Sequence, residues 1–286
     1  MRLILMACVV LVTATSQRVQ AGVLYSNGFE TNIAGWDAFG VSFHPTRVAS
    51  GTNSITSASG SFHAQSGGGT VSAGGSAGNW GGYNFGAGNA VATSFQEYTT
   101  SLDIFLNVAG GFANDTRFDF SSAINNSAGT FLRDFVFNAG FYNDSTGPGA
   151  NTSRFVISAG NNATRGSSFP KNTGAIAIST TGWYTFEHRF FDNSGVLNVD
   201  MKIIDSSNAL VNSWTLGTDP IAGVGGNRYG WFVRNELGTL AFDNTQLSTL
   251  DAGVVPEPTS LAIFGLGILG MAGVRLRRWK GEQSKA

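Results

Sequence analysis

The chain has 286 residues, of which 12% are charged, 42% are hydrophobic and 39 are glycine. Its 22 phenylalanines exclude a disordered polymer, which lacks such apolar surface to bury, and the length suits one large β domain or two smaller ones. Set apart from the two basic ends, the region from Gly22 to Pro258 is mildly acidic, which excludes a nucleic-acid partner because phosphate binding needs a basic footprint.

The chain begins MRLILMACVVLVTATSQRVQA: a basic Arg2, an apolar run over 3–12, a polar stretch, then Val19 and Ala21 at the spacing signal peptidase reads. This predicts a signal peptide over 1–21 and export, with Gly22 as the new first residue. Cys8, the one cysteine, would leave with it, so the exported chain is expected to hold no disulfide, thiol chemistry or cysteine-bound metal.

The body is read as one domain over 22–251. Residues 57–88 are dense in glycine, which marks turns and loops, and the stretch has no phosphate loop because the Lys-Ser/Thr ending is missing. Trp80, Tyr83 and Phe85 within it are candidate ligand-binding residues, since flat rings stack on sugar faces and neighbours such as Asn79 and Asn84 can bond hydroxyls. The competing reading makes the same rings a plug at the end of a sandwich.

Beyond this stretch, period-two alternation dominates and helical spacing is absent. In SLDIFLNVAG, Leu102, Ile104, Leu106 and Val108 share one face, with Asp103 and Asn107 on the other. RFDF at 117–120 and RDFVF at 133–137 alternate likewise. GWYTFEHRFF from Gly182, a turn at Asp192-Asn193-Ser194-Gly195 and VLNVDMKII predict a β-hairpin, and RYGWFVRN with LAFDNTQL suggests a second pair. The expected fold class is all-β, an antiparallel sandwich.

Phe29-Glu30, Gly35-Trp36, the 182–205 hairpin and the closing Phe242-Asp243-Asn244 are similar to jelly rolls of the concanavalin-like lectin, glucanase and carbohydrate-binding type. That resemblance implies first and last strands side by side, with a structural calcium where they meet and Glu30 and Asp243 as its ligands. The competing reading leaves both as ordinary surface carboxylates.

No catalytic residue is assigned. His44, His63 and His188 lack metal spacing, no Gly-x-Ser-x-Gly elbow occurs, and Glu187 has no evident carboxylate partner in the sequence.

The tail is read as a sorting signal over 252–286. Val255, Pro256, Glu257, Pro258 and Thr259 form an extended motif, because the two prolines lack amide hydrogens. An apolar helix over 260–274 and a basic tail over 275–286 follow. The apolar run falls short of the roughly 20 residues that span a bilayer, but its basic end fits the cytoplasmic side and Arg275 and Arg277 can snorkel. These ordered features resemble the PEP-CTERM sorting signal of Gram-negative bacteria that make extracellular polysaccharide. The resemblance implies cutting by an exosortase, an inner-membrane stage through the helix, and a product at the cell surface or in the matrix.

The expectation is thus an exported, non-enzymatic surface or matrix protein that binds extracellular polysaccharide. Two alternatives stay open: a glycoside hydrolase or lyase of concanavalin-like fold, and a purely structural matrix protein.

Overall fold

The computed structural model describes residues 21–36, 44–67, 78–83, 94–161, 170–226 and 229–250, and the chain from Ala21 to Leu250 forms one compact unit. One layer contains β1 (Ala21–Asn27), β2 (Thr46–Ala49), β3 (Phe62–Gly67), β5 (Tyr98–Leu106), β10 (Gly182–Asn193), β11 (Val196–Asp205), β12 (Leu210–Pro220) and β14 (Thr239–Leu250). The other contains β4 (Gly78–Tyr83), β6 (Thr116–Asn125), β7 (Phe131–Tyr142), β8 (Arg154–Asn161), β9 (Ile176–Ile178) and β13 (Tyr229–Asn235). The first sheet runs β12-β11-β10-β5-β14-β3-β2 with β1 added against β14; the second runs β4-β13-β6-β7-β8-β9. The protein is therefore all-β, with its sheets in a sandwich-like arrangement.

The alternation in β5 and β10 does what the sequence predicts. Leu102, Ile104 and Leu106, with Phe186 and Phe190, are fully buried on one face, while Asp103, Phe105, Thr185 and Glu187 are half-buried on the other. Rings interlock across the layers: Phe186 meets Phe137 edge-on at 5.2 Å and Phe118 at 6.2 Å, and Phe190 meets Phe135 at 5.6 Å.

The β10–β11 hairpin is present, tighter than the sequence suggests. Asn193 pairs with Val196, leaving Ser194 and Gly195 at φ 56° and 90° as a two-residue turn, with the Gly195 amide donating to Asp192 Oδ1 at 2.7 Å.

The second expected pair does not form. β13 bonds β4 and β6, whereas β14 bonds β1, β3 and β5, so the intervening corner carries the chain from one layer to the other. Asn235 builds that corner: Oδ1 accepts the Leu237 amide at 2.6 Å, and Nδ2 donates to the Ser66 and Gly67 carbonyls at 3.0 Å each. Leu237, buried, anchors it from below.

The second sheet also departs from simple alternation, because its outer face is closed to solvent as well. Asp119, Ser121, Ala123, Asn138 and Ser158 are each exposed by 5% or less. In register, Arg234, Asp119, Asn138 and Ser158 form a polar row across four strands, with Asn138 Nδ2 donating to Asp119 Oδ1.

β1 and β14 lie side by side, with Ala21 opposite Leu250. Among the described residues no helix is long and apolar enough to cross a membrane; the expected signal peptide and the expected helix over 260–274 fall outside them.

Candidate functional site

β14 changes neighbours halfway along. Residues 239–242 pair with β3 and 245–250 with β1, while β5 runs along the other side. Asp243 and Asn244 fill the gap, where the register against β5 shifts and Asn244 takes a φ of 48°. Asp243 is fully buried and accepts the amides of Asn244 at 2.8 Å and Ser59 at 3.2 Å. Its partner across β5 is Asp103, whose two oxygens take the Thr185 hydroxyl at 2.5 Å and Asn244 Nδ2 at 2.8 Å. Burial first, with the Asp103 charge adding to it, pushes the Asp243 carboxyl up to about 6 against the lowering effect of its amide bonds.

Glu30 holds the far end of the same loop. The Ser61 amide bonds both its oxygens at 3.0 and 3.2 Å, and the Phe62 amide bonds Oε1 at 3.1 Å. Calcium takes six to eight oxygen ligands. Here both carboxylates accept backbone amides, and among the described residues no three His, Cys, Asp or Glu side chains gather in a set that could hold a metal. Glu30 and Asp243 clamp residues 58–62 on their way into β3.

Of the candidate aromatics, only the Tyr83 ring is among the described side chains. It lies half-buried at 6.5 Å from Tyr229, which packs edge-on against Tyr98 at 4.5 Å. Tyr229 donates its hydroxyl to the Gly226 carbonyl at 2.5 Å, and burial followed by the nearby Tyr83 pushes its pKa up to about 12. Tyr83 thus leans on the end of the core. Trp80 occupies a β4 position opposite Phe232, and Phe85 falls outside the described residues, as does the motif Val255 to Thr259.

A cleft of about 270 Å³ opens on the outer side of the first sheet. Three segments form it: the turn at Asn53, the 107–112 loop after β5, and the corner that begins β14. Ile55, Leu240 and Ala241 are buried at its base, Phe105 is half-buried beside them, and Asn53 and Thr239 are exposed at the rim. No lining residue carries a charge. Phe105 rests edge-on against Trp183 at 5.4 Å, and the Trp183 indole is pinned by its bond to the Thr56 carbonyl at 2.8 Å. The signal for this site was present in SLDIFLNVAG: an aromatic, Phe105, shares the polar face with Asp103 and Asn107.

Behind the cleft runs a hydrogen-bond relay. Asn53 Nδ2 donates to Gln65 Oε1 at 2.8 Å, and Gln65 Nε2 lies 3.0 Å from His63 Nε2. With that ring nitrogen accepting, His63 Nδ1 carries the hydrogen and donates to Ser57 Oγ at 3.0 Å. Burial lowers the His63 pKa in the direction that keeps the ring neutral. Glu187, on the outer face, accepts Lys202 Nζ at 3.0 Å. His188 points inward, fully buried among Phe120, Phe137 and Phe190, with the Phe135 backbone as the polar group acting on its ring.

Among solved structures, the chain is similar to the CBM2 module of the Lactobacillus casei BL23 phage J-1 evolved Dit, at 11% identity over 80% of this chain and 96% of that one, with a TM-score of 0.40. It is similar to the winged bean acidic lectin complexed with methyl-alpha-D-galactose, at 10% identity over 73% and 86% of the two chains, with a TM-score of 0.30. A third likeness is to the alginate lyase from Alteromonas sp.272, at 12% identity over 80% and 92%, with a TM-score of 0.25. No curated protein matches the chain. At the C-terminal end, residues 254–278 carry the PEP-CTERM protein-sorting motif.

Proposed function

We propose that the chain is an exported protein of the Gram-negative cell surface or extracellular matrix, cut by signal peptidase and exosortase, whose body is a jelly roll that binds polysaccharide without catalysis. The observation that carries this is the motif at 254–278, which implies export and membrane association during sorting. An apolar segment over 260–274 holds the chain in the inner membrane at that stage, with the basic residues after it on the cytoplasmic side.

The non-enzymatic part of the reading is supported by how the candidate groups are engaged. Glu187 is committed to Lys202, Ser57 accepts from His63, and the carboxylates of Asp103 and Asp243 are held by hydrogen bonds to their own fold. A general acid or base needs a free position within hydrogen-bond reach of substrate.

Intact mass spectrometry of the protein recovered from membrane and extracellular fractions tests the sorting. The expected extracellular form lacks residues 1–21 and ends near Pro256 to Pro258. A full-length tail found solely in membranes would replace sorting with permanent anchoring.

A further inference from the structure

We infer that the cleft bounded by the Asn53 turn, the 107–112 loop and the β14 corner is a subsite for an uncharged hexose-type residue of a polysaccharide. The inference rests on the polysaccharide-binding reading above and adds to it a place and a ligand class.

Size is the first argument. At about 270 Å³ the cleft lies just below the range of roughly 300–1,000 Å³ that holds drug-sized ligands, so it suits a single ring with its substituents. Chemistry is the second. A pyranose has an apolar face of C–H groups and an equatorial rim of hydroxyls. The lining includes both kinds of group, the apolar Phe105 and Ile55 together with the amides of Asn53 and Asn107 and the Thr239 hydroxyl.

Preorganisation is the third. Phe105 is braced by Trp183, itself fixed to Thr56, and Asn53 is held through its Nδ2 by Gln65, which leaves Oδ1 as an acceptor. Asn53 and Ser54 are consecutive non-glycine residues in left-handed backbone, at φ 53° and 61°. Such residues carry strain that persists where the surroundings over-determine it. Here the Gly51 amide bonds the Ile55 carbonyl at 2.8 Å and the Ser54 amide bonds the Gly51 carbonyl at 3.0 Å, which locks Asn53 at the rim.

Charge selects the ligand class. A uronate or sulfated polymer needs a cation to meet its carboxylate or sulfate, and none of the lining residues is Lys or Arg. The mildly acidic body repels such polymers from a distance as well.

The test is binding of the mature protein to neutral glucan, mannan and galactan oligosaccharides and to oligouronates, by calorimetry at low and high salt. The expected result is binding to at least one neutral series, unchanged by salt, absent for uronates, and weakened about tenfold by Phe105→Ala, the loss of one ring contact. Asn107→Ala, which spares the aromatic packing, guards against misfolding and weakens binding several-fold. Neutral-glycan binding that survives both substitutions, or is lost in Tyr83→Ala instead, overturns the cleft while leaving polysaccharide binding standing. Binding confined to uronates and abolished by salt overturns the ligand class. Failure to bind any glycan, with folding intact by circular dichroism, overturns both the subsite and the reading beneath it.

Discussion

Asp243 and His188 are buried titratable groups whose protonation acts on stability with opposite signs. Asp243 keeps its proton in the fold up to about pH 6, above the ordinary carboxyl value of 3.8, so its contribution is full below pH 3.8 and is lost as pH rises through 6. His188 has its pKa driven down from the ordinary 6.5 to about 3 by burial, only partly offset by the Phe135 backbone. Its contribution is full above pH 6.5 and is lost as pH falls toward 3. The Asp243 shift corresponds to about 3 kcal/mol and the larger His188 shift to about 5 kcal/mol. Between pH 6 and 4 the slopes oppose, and the native protein is expected to vary little. His188→Leu removes one slope, so the variant should gain stability on acidification across that window. Urea titrations at pH 4, 5 and 6 check this; a variant that still weakens in acid would locate the sensitivity elsewhere. At the same scale, Gly60 sits at φ 59° with the Glu30 carboxylate packed against its Cα. Gly60→Ala therefore adds backbone strain and displaces the Glu30 clamp, and should cost about 2 kcal/mol or more. Calorimetry that finds no loss would show that the clamp does not hold the loop.

At the scale of elements, the β7–β8 connection is tied by one side chain. Arg154, fully buried, donates Nε to the Pro148 carbonyl at 2.6 Å, Nη2 to the Thr146 carbonyl at 2.7 Å and Asp144 Oδ1 at 3.0 Å, and Nη1 to the Thr152 carbonyl at 2.8 Å. Lys171 closes the cluster on Asp144 at 2.7 Å, and its bond leads the effects that hold the Asp144 carboxyl far below the usual range. A lysine cannot reproduce a guanidinium fork, so Arg154→Lys should cost about 2–3 kcal/mol and open the loop. Hydrogen exchange confined to 144–152 is the expected signature; uniform loosening of the protein would contradict a local tie. The sequence makes such elements visible unevenly. Alternation in SLDIFLNVAG and GWYTFEHRFF sorts inward from outward residues, and a Ser-Gly turn reports the β10–β11 partnership because those strands are neighbours in the chain. Alternation says nothing about distant partners, which is why β13 and β14 read as a hairpin although Asn235 turns them into separate layers. The cleft was hidden for the same reason: Asn53, Phe105 and Thr239 come from three distant segments, and only Phe105, an aromatic on a polar face, carried a local sign. The amides that engage Glu30 and Asp243 belong to a loop whose path no sequence pattern gives.

For the whole molecule, the proposed processing would remove sequence from both ends, and the fold would then close without those segments. β1 begins at Ala21, β14 ends at Leu250, and the two pair at those residues. A signal-peptidase cut after Ala21 takes a single residue from the end of β1, and an exosortase cut near Pro256 to Pro258 falls past the last strand. The interlayer rings, the Glu30 and Asp243 clamps and the Arg154 tie all lie between those points. A protein beginning at Gly22 and ending at Pro256 should therefore melt within a few degrees of the full-length chain in detergent, since per-residue unfolding values make about 1 kcal/mol worth roughly 2–4 °C at this size. Deleting residues 22–27 as well strips β14 of its neighbour over 245–250 and exposes Leu247, which is fully buried in the intact fold. That truncation is expected to lower the midpoint by ten degrees or so, through lost strand pairing and apolar burial together. Equal midpoints for the two truncations would mean that β1 contributes little. A large drop for the first would mean that the terminal segments support the body.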